Sequence, residues 1–324
     1  MVDVACLAGD GPVAGQLRRV GIRAFPLDAR GAADVRAIAR LSRLVRDHGY
    51  DSVVSFLIHA NAAAAIVAPF RSEVRFIQSI QTTQPYPRWH WIVQSIVQHA
   101  ADCIVVPSPS VAHCAASWAD VPTTKIVIIP NAVDLADFAD ITNPPLVKPD
   151  GSFAIGFIGR LDPIKRLEDL LQAVCLLGSA VHLHVFGEGS ERTRIGARIR
   201  DLDMASQVTL HGAIPRPQEA LRQVDLLVLP SMAEGFGLVL IEAMAARVPV
   251  VATDAPGIRD VVRHRQTGLL VPVSSPGKLA RAIDRLRTND TLRLSLITQA
   301  RQEVARRFTW DVVLPQYRQL LELD

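Results

Sequence analysis

The chain has 324 residues, 49% of them hydrophobic and 21% charged, which is enough to bury the cores of two α/β domains. Its formal net charge is +3, with basic residues interleaved among acids. That pattern excludes the concentrated basic patch of a nucleic-acid binder and is compatible with an anionic ligand or an anionic membrane surface. The four cysteines, Cys6, Cys103, Cys114 and Cys175, form no CxxC and no zinc spacing, so they are expected to be small buried hydrophobes and no metal site is expected. The first residues lack a basic n-region followed by an apolar h-region. No uncharged apolar run reaches the roughly 20 residues of a spanning helix; the longest covers 60–70. A cytoplasmic protein is expected, compatible with one resting on the inner face of a membrane.

Apolar β-type runs alternate with amphipathic helical patterns along the chain, the arrangement of parallel α/β units. Strands are predicted over 2–7, 22–26, 52–56, 75–79, 103–107 and 126–130. A helix over 33–48 places Val35, Ile38, Leu41 and Val45 on one face. Residues 142–151 hold three prolines and end on Asp-Gly, so they read as a linker. Domains are therefore expected over 1–145 and 150–307. In the second half, strands are predicted over 153–158, 181–186, 208–211, 226–230, 248–253 and 268–271. They are apolar along their whole length, as in sheets covered on both faces. Leu167, Leu170, Leu171, Val174 and Leu177 mark a helix after the first of them. A last amphipathic helix is predicted over 309–323.

Three segments carry candidate chemistry, each just past a predicted buried strand. The first runs from Pro230 to Glu242 through Glu234, Gly235, Phe236, Gly237 and Leu238. A loop with two glycines leading into a helix N-terminus offers amides to an anion. Its two carboxylates, Glu234 and Glu242, suit sugar hydroxyls as acceptors. The second, Gly159-Arg160-Leu161-Asp162-Pro163-Ile164-Lys165, supplies a forked and a point cation for a diphosphate. The third, Gly187-Glu188-Gly189, taken alone reads as a turn. In open α/β sheets ligands bind outside the carboxyl ends of strands, where all three lie. In the first half, His59 and Asn61 sit at the mouth of a helical alanine run. Trp89 and Trp91 follow a polar loop over 78–86 and read as the rim of an acceptor pocket, as lipid-headgroup contacts, or as half-buried core.

These segments, in this order, resemble the family-4 glycosyltransferases over nearly the whole chain. Further matching residues are Ile129-Pro130-Asn131 with Asp134, Ala255-Pro256-Gly257, Thr267 to Pro272, and Phe308-Thr309-Trp310. The resemblance implies a GT-B fold: two Rossmann-like domains facing a cleft, with 308–324 as a helix crossing back to the first. It implies retaining transfer of a sugar from a nucleotide-sugar, which is a co-substrate and not a cofactor, with no metal. Arg160 and Lys165 would hold the diphosphate, Glu234 the sugar hydroxyls and Glu242 the ribose. Gly159, Gly187, Glu188 and the 235–238 backbone would line the donor site, and His59 would lie near the donor sugar. The acceptor would be a glycan, a lipid-linked glycan or a small alcohol, with peripheral membrane contact compatible and nucleic acid excluded.

Several positions depart from the family pattern. The chain opens at what reads as the family's second strand, so a first strand, glycine loop and helix, roughly 30 to 40 residues, is expected to be lacking; removing a central strand would leave its neighbours with unpaired edges. Asn131 is followed by Ala132 where the family has glycine. Arg247 stands where a helix-ending glycine is usual. A non-catalytic nucleotide-sugar-binding or scaffold protein is the alternative. A dehydrogenase is disfavoured because no Gly-x-Gly-x-x-Gly follows a first strand.

Overall fold

The computed structural model describes residues 2–31, 34–138 and 151–322, and the chain forms two compact units. The first comprises 1–81, 85–106 and 111–128; the second comprises 82–84, 107–110 and 129–324. Nine positions of the predicted linker, 142–150, lie outside the described residues, as does Ala33 at the start of the predicted 33–48 helix.

The elements of the first unit are β1 (Asp3–Cys6), α1 (Pro12–Arg19), β2 (Arg23–Pro26), α2 (Val35–His48), β3 (Ser52–Phe56), α3 (Ile58–Val67), β4 (Arg75–Ser79), α4 (Trp89–Val97), β5 (Cys103–Val106), α5 (Pro109–Ala119, its first two residues belonging to the second unit) and β6 (Ile126–Ile128). All six strands predicted for this half are present. They form two parallel sheets: β1 with β2, and β3-β4-β5-β6 in that order. Among the described residues, β1 and β3 each keep one edge without a ladder partner. The Tyr50 hydroxyl, just before β3, donates to the Asp3 carboxylate on β1.

Strands laid down successively in one direction place their right-handed crossover helices on one face. Thus α3 and α4 lie side by side, and α2 packs on α3 through Ala37, Leu41 and Val45 against Ala63, Ala64 and Val67. Trp91 is buried and meets Trp118 edge to face, so it is core, whereas Trp89 is half exposed. Asn61 is buried in a polar network. Ser55 Oγ donates to Asn61 Oδ1, Asn61 Nδ2 donates to Gln94 Oε1, Gln94 Nε2 to Gln78 Oε1, and Gln78 Nε2 to the Val97 carbonyl.

The second unit contains β7 (Phe153–Ile158), α6 (Leu167–Leu177), β8 (Val181–Phe186), α7 (Arg192–Asp201), β9 (Val208–Gly212), α8 (Pro217–Leu221), β10 (Leu226–Leu229), α9 (Leu238–Ala245), β11 (Val250–Thr253), β12 (Leu269–Val271), α10 (Pro276–Thr288), α11 (Asp290–Arg307) and α12 (Trp310–Leu321). Each strand predicted here is found, with ends shifted by two residues at most. One parallel sheet runs β12-β11-β10-β7-β8-β9. The chain starts in the middle at β7, builds outward through β8 to β9, then returns to lay β10, β11 and β12 on the other side of β7. The reversal makes the β7/β10 boundary a topological switch point, where adjoining crossovers leave on opposite faces and open a crevice.

The strands are buried because both faces are covered: Ile155, Phe157, Leu183, Val228 and Val251 are almost fully enclosed. Arg247, at the glycine-like position after α9, adopts φ 61° and ends the helix left-handed without glycine. The cysteines are all free; Cys103 and Cys114 are buried, Cys6 is intermediate, and Cys175 is exposed on the outer side of α6. The expectation of uniform burial therefore fails at Cys175, whose neighbour Leu176 is also exposed.

Candidate active site

Two of the three candidate segments leave β7 and β10, the strands flanking the switch point, so their loops emerge side by side. After β7, Gly159 N–H donates to the Phe186 carbonyl and Leu161 N–H to the Glu188 carbonyl, binding this loop to the one after β8. Gly187 has φ 151°, and a Cβ there would lie 1.9 Å from the Gly159 carbonyl oxygen. Only glycine lets these two loops approach so closely. The Gly-Glu-Gly segment therefore has a definite structural task in shaping the loop that carries Arg160. Glu188 itself pairs with Arg192 at 2.9 Å on the surface.

Arg160 is 76% exposed and pairs with Asp162 at 2.6 Å. Lys165 ends a short 3-10 turn, Pro163–Lys165, and points back to the sheet. Its Nζ lies 2.6 Å from Glu234 Oε1, with both side chains more than four-fifths enclosed. Ser231 is fully buried directly after β10, and its Oγ donates to the same Oε1 at 2.6 Å. Two donors thus converge on one oxygen of Glu234. Among the described residues no hydrogen-bond donor is assigned to Oε2, which stays available as an acceptor.

The Glu234 backbone is held as firmly as its side chain. Its N–H donates to the Pro256 carbonyl at 3.1 Å, and its carbonyl accepts from Thr83 Oγ1 at 2.7 Å within the same unit. Ser108 Oγ donates to the Gly235 carbonyl at 2.9 Å. Gly257 has φ +80°, and a Cβ there would lie 2.0 Å from the Glu234 carbonyl oxygen. The Ala255-Pro256-Gly257 segment therefore fixes where Glu234 sits.

Gly237 precedes α9, whose first residue, Leu238, is exposed. The helix presents its unpaired N–H groups at this edge, an electropositive terminus suited to an anion. The Phe236 ring turns the other way, buried edge to face against Phe308, so only its backbone borders the loop. Glu242 stands one turn into α9, and burial pushes its carboxyl up to about 7 from an ordinary 4.5.

The structure joins Lys165 to Glu234 directly and sets Gly159, Arg160, Gly235, Gly237, Leu238 and Glu242 on the loops and helix flanking them. His59 belongs to the first unit. It is exposed at the start of α3, with its ring edge-on to Trp89. Leu57, immediately before that helix, has φ 72° and ψ 156°, a strained conformation for a leucine. Sequence reasoning passed over Ser231, Asp162, Thr83 and Ser108. Ser231, three residues before Glu234, carried no signal of its own, and the fold alone joins its hydroxyl to that carboxylate. An open space of about 540 Å³ in the second unit lies at the opposite, amino-terminal edge of the sheet. It is lined by Phe153, Val224, Arg247, Arg287 and Arg293 and contains none of the candidate residues.

Two α/β units, the second with a phosphate-type loop, cations and carboxylates at its switch point, make up a GT-B fold. The chain belongs to the glycosyl transferases group 1: that family's model matches residues 139–303, just over half of the chain, and the model of glycosyltransferase family 4 matches 1–137.

Among similar proteins, a D-inositol 3-phosphate glycosyltransferase of Jonesia denitrificans is 31% identical over 70% of this chain and 58% of its own length. A poly(ribitol-phosphate) alpha-N-acetylglucosaminyltransferase of Staphylococcus aureus is 30% identical over 59% of this chain and 40% of its own. A phosphatidyl-myo-inositol mannosyltransferase of Mycobacterium leprae is 35% identical over 51% and 45%. The matched stretch thus spans less than two thirds of each of these relatives. The Anabaena HepE structure with UDP and glucose superposes with a TM-score of 0.88 at 19% identity, covering 99% of this chain and 91% of that one. Sucrose-phosphate synthase of Thermosynechococcus elongatus gives 0.82 at 22% identity, covering 99% and 88%.

Proposed function

We propose that the protein is a retaining glycosyltransferase that moves a sugar from a nucleotide-sugar to a glycan, a lipid-linked glycan or a small alcohol. The observation that carries this reading is the Lys165–Glu234 pair at the β7/β10 switch point, with Ser231 on the same oxygen. A cation for a leaving diphosphate and a carboxylate for sugar hydroxyls stand at contact distance. A sugar phosphate that bridges them is held at both ends of the bond to be broken.

In this scheme Lys165, Arg160 and the amides at the start of α9 take up the charge that develops on the diphosphate, and no metal or cofactor enters. Glu234 Oε2 accepts from a sugar hydroxyl, and Glu242 accepts from the ribose. His59, set beyond the strained Leu57, is assigned to the donor sugar. Residues 1–145 form the acceptor-side domain, 150–307 the donor domain and 308–324 a closing helix. The names of the relatives include poly(ribitol-phosphate), inositol 3-phosphate and phosphatidyl-myo-inositol. Each is a polyol derivative, which favours a hydroxyl-rich acceptor here, met in the cytoplasm or on the inner face of a membrane.

The test is release of nucleoside diphosphate from a panel of nucleotide-sugars with polyol acceptors. Glu234→Ala, Lys165→Ala and Arg160→Ala are each expected to lower turnover by about a hundredfold or more while the circular dichroism spectrum is kept. Near-normal rates in all three overturn the assignment. Donor binding without turnover of any panel member supports the scaffold alternative.

A further inference from the structure

Helix α4 buries a glutamine beside Trp91 and exposes two isoleucines. Gln94, and Gln98 in the turn that follows, are 3% and 2% exposed, while Ile92 and Ile96 are 61% and 67% exposed. Gln94 points inward because α3 and β4 offer it partners, Asn61 and Gln78, so hydrogen bonding helps fix the helix's rotation. Of the helix's large apolar residues Trp91 is buried, while Trp89, Ile92 and Ile96 are turned outward. Trp89, Ile92 and Ile96, spaced i, i+3 and i+7, form one stripe. Next to α4 lies α3, which exposes Ile66, and the turn after it exposes Phe70. An exposed apolar patch of this extent marks an interaction surface.

Charge says what kind. From 52 to 101 the sequence holds one carboxylate, Glu73, against Arg71, Arg75 and Arg88. On the other side of α3 lies α2, whose exposed arginines, Arg36, Arg40, Arg43 and Arg46, follow helical spacing along its outer side. Arg40 pairs with Asp28 and Arg46 with Asp47, while Arg36 and Arg43 form no ion pair among the described residues. One layer of the first unit thus carries an outward apolar stripe with a tryptophan and a flanking row of arginines. This is the make-up of a surface that lies in a bilayer interface rather than across it. Among the described residues no helix is long and apolar enough to span a membrane.

We infer that the α2–α3–α4 layer docks on an anionic lipid bilayer, with Trp89, Ile92 and Ile96 entering the headgroup region and Arg36 and Arg43 meeting lipid phosphates. A second copy would cover the apolar stripe but leave the arginine row without an anionic partner, whereas an anionic bilayer meets both. Docking of this kind does not depend on the donor chemistry.

The test is flotation of the full chain with vesicles of phosphatidylcholine, with and without phosphatidylglycerol, and with UDP binding measured in parallel. The protein is expected to float with phosphatidylglycerol vesicles, less so in high salt and much less with phosphatidylcholine alone. Ile92→Ser with Ile96→Ser lowers partitioning roughly tenfold or more. Arg36→Ala and Arg43→Ala each lower it about fivefold. Affinity for UDP stays unchanged in all of these variants. No flotation, flotation indifferent to the substitutions, or equal binding to both vesicle types overturns the inference. A dimer in light scattering that dissociates in the Ile92/Ile96 variant, without vesicle binding, assigns the face to a second copy instead.

Discussion

Glu242 gives the sharpest quantitative prediction, because one carboxyl is asked to do opposite things for folding and for binding. Burial raises it to about 7 from 4.5. In the unfolded chain it ionises near 4.5, so between there and 7 the folded state holds a proton that the unfolded state has lost. Stability therefore falls as pH rises through that window and levels off above it. The gap corresponds to about 3 kcal/mol. Glu242→Gln keeps the shape and removes the titration. Urea unfolding of both proteins at a series of pH values is expected to give equal stabilities near the acid end of the window, with the variant ahead by about 3 kcal/mol above about pH 7. Other titrating groups cancel in the difference. Binding runs the other way. The ionised carboxylate is the stronger acceptor, able to take two ribose hydroxyls on its two oxygens, so wild-type affinity for UDP should rise as the pH approaches about 7 and then flatten, while the variant, with one acceptor oxygen, should bind more weakly than wild type above that pH. A stability difference that does not change with pH refutes the burial argument. Equal UDP affinity in the two proteins at about pH 8, where the wild-type carboxyl is ionised, refutes the ribose assignment.

Three further outcomes follow from the packing. Gly257→Ala drives a methyl into the Glu234 carbonyl and forces a left-handed alanine; it should cost roughly 1–3 kcal/mol in urea unfolding and lower donor affinity, and a silent substitution would contradict the positioning role. Leu57→Gly relieves a strained φ at an exposed side chain, so the thermal midpoint should hold or rise, whereas a drop of several degrees would mean that no strain is stored there. Gln94→Ala leaves the buried Gln78 Oε1 without its donor and takes one of two acceptors from Asn61 Nδ2, and should destabilise the first unit by about 1–3 kcal/mol with UDP binding intact; no loss would show that the network is replaceable by water.

Much of this architecture was readable in the chain because parallel sheets buried on both faces force continuous apolar strands. Each predicted strand, from 2–7 to 268–271, has its counterpart. The Glu234–Glu242 segment was readable for a related reason. A carboxylate set between a buried β-strand and a glycine-rich helix start has no core to pack into, so it reads as a group that meets a ligand. What sequence hid was orientation. Helix α4 is apolar nearly all round, so periodicity could not show that Gln94 faces inward and Ile92 outward; partners on α3 and β4 decide that. Phe236 sits between two loop glycines, and its backbone was the part assigned to the donor; where its ring goes was not readable, because Phe308, far away in sequence, claims it. Ser231 looked like an ordinary residue at the end of a strand, and only the fold shows it sharing Oε1 of Glu234 with Lys165.

The most direct test of the central claim is a crystal structure of the protein grown with UDP. The diphosphate is expected between the 159–165 loop and the start of α9, within reach of Lys165, with the ribose on Glu242. Nucleotide seated in the amino-edge cavity beside Arg287 and Arg293, or bound with Lys165 and Glu242 both out of contact, would contradict it.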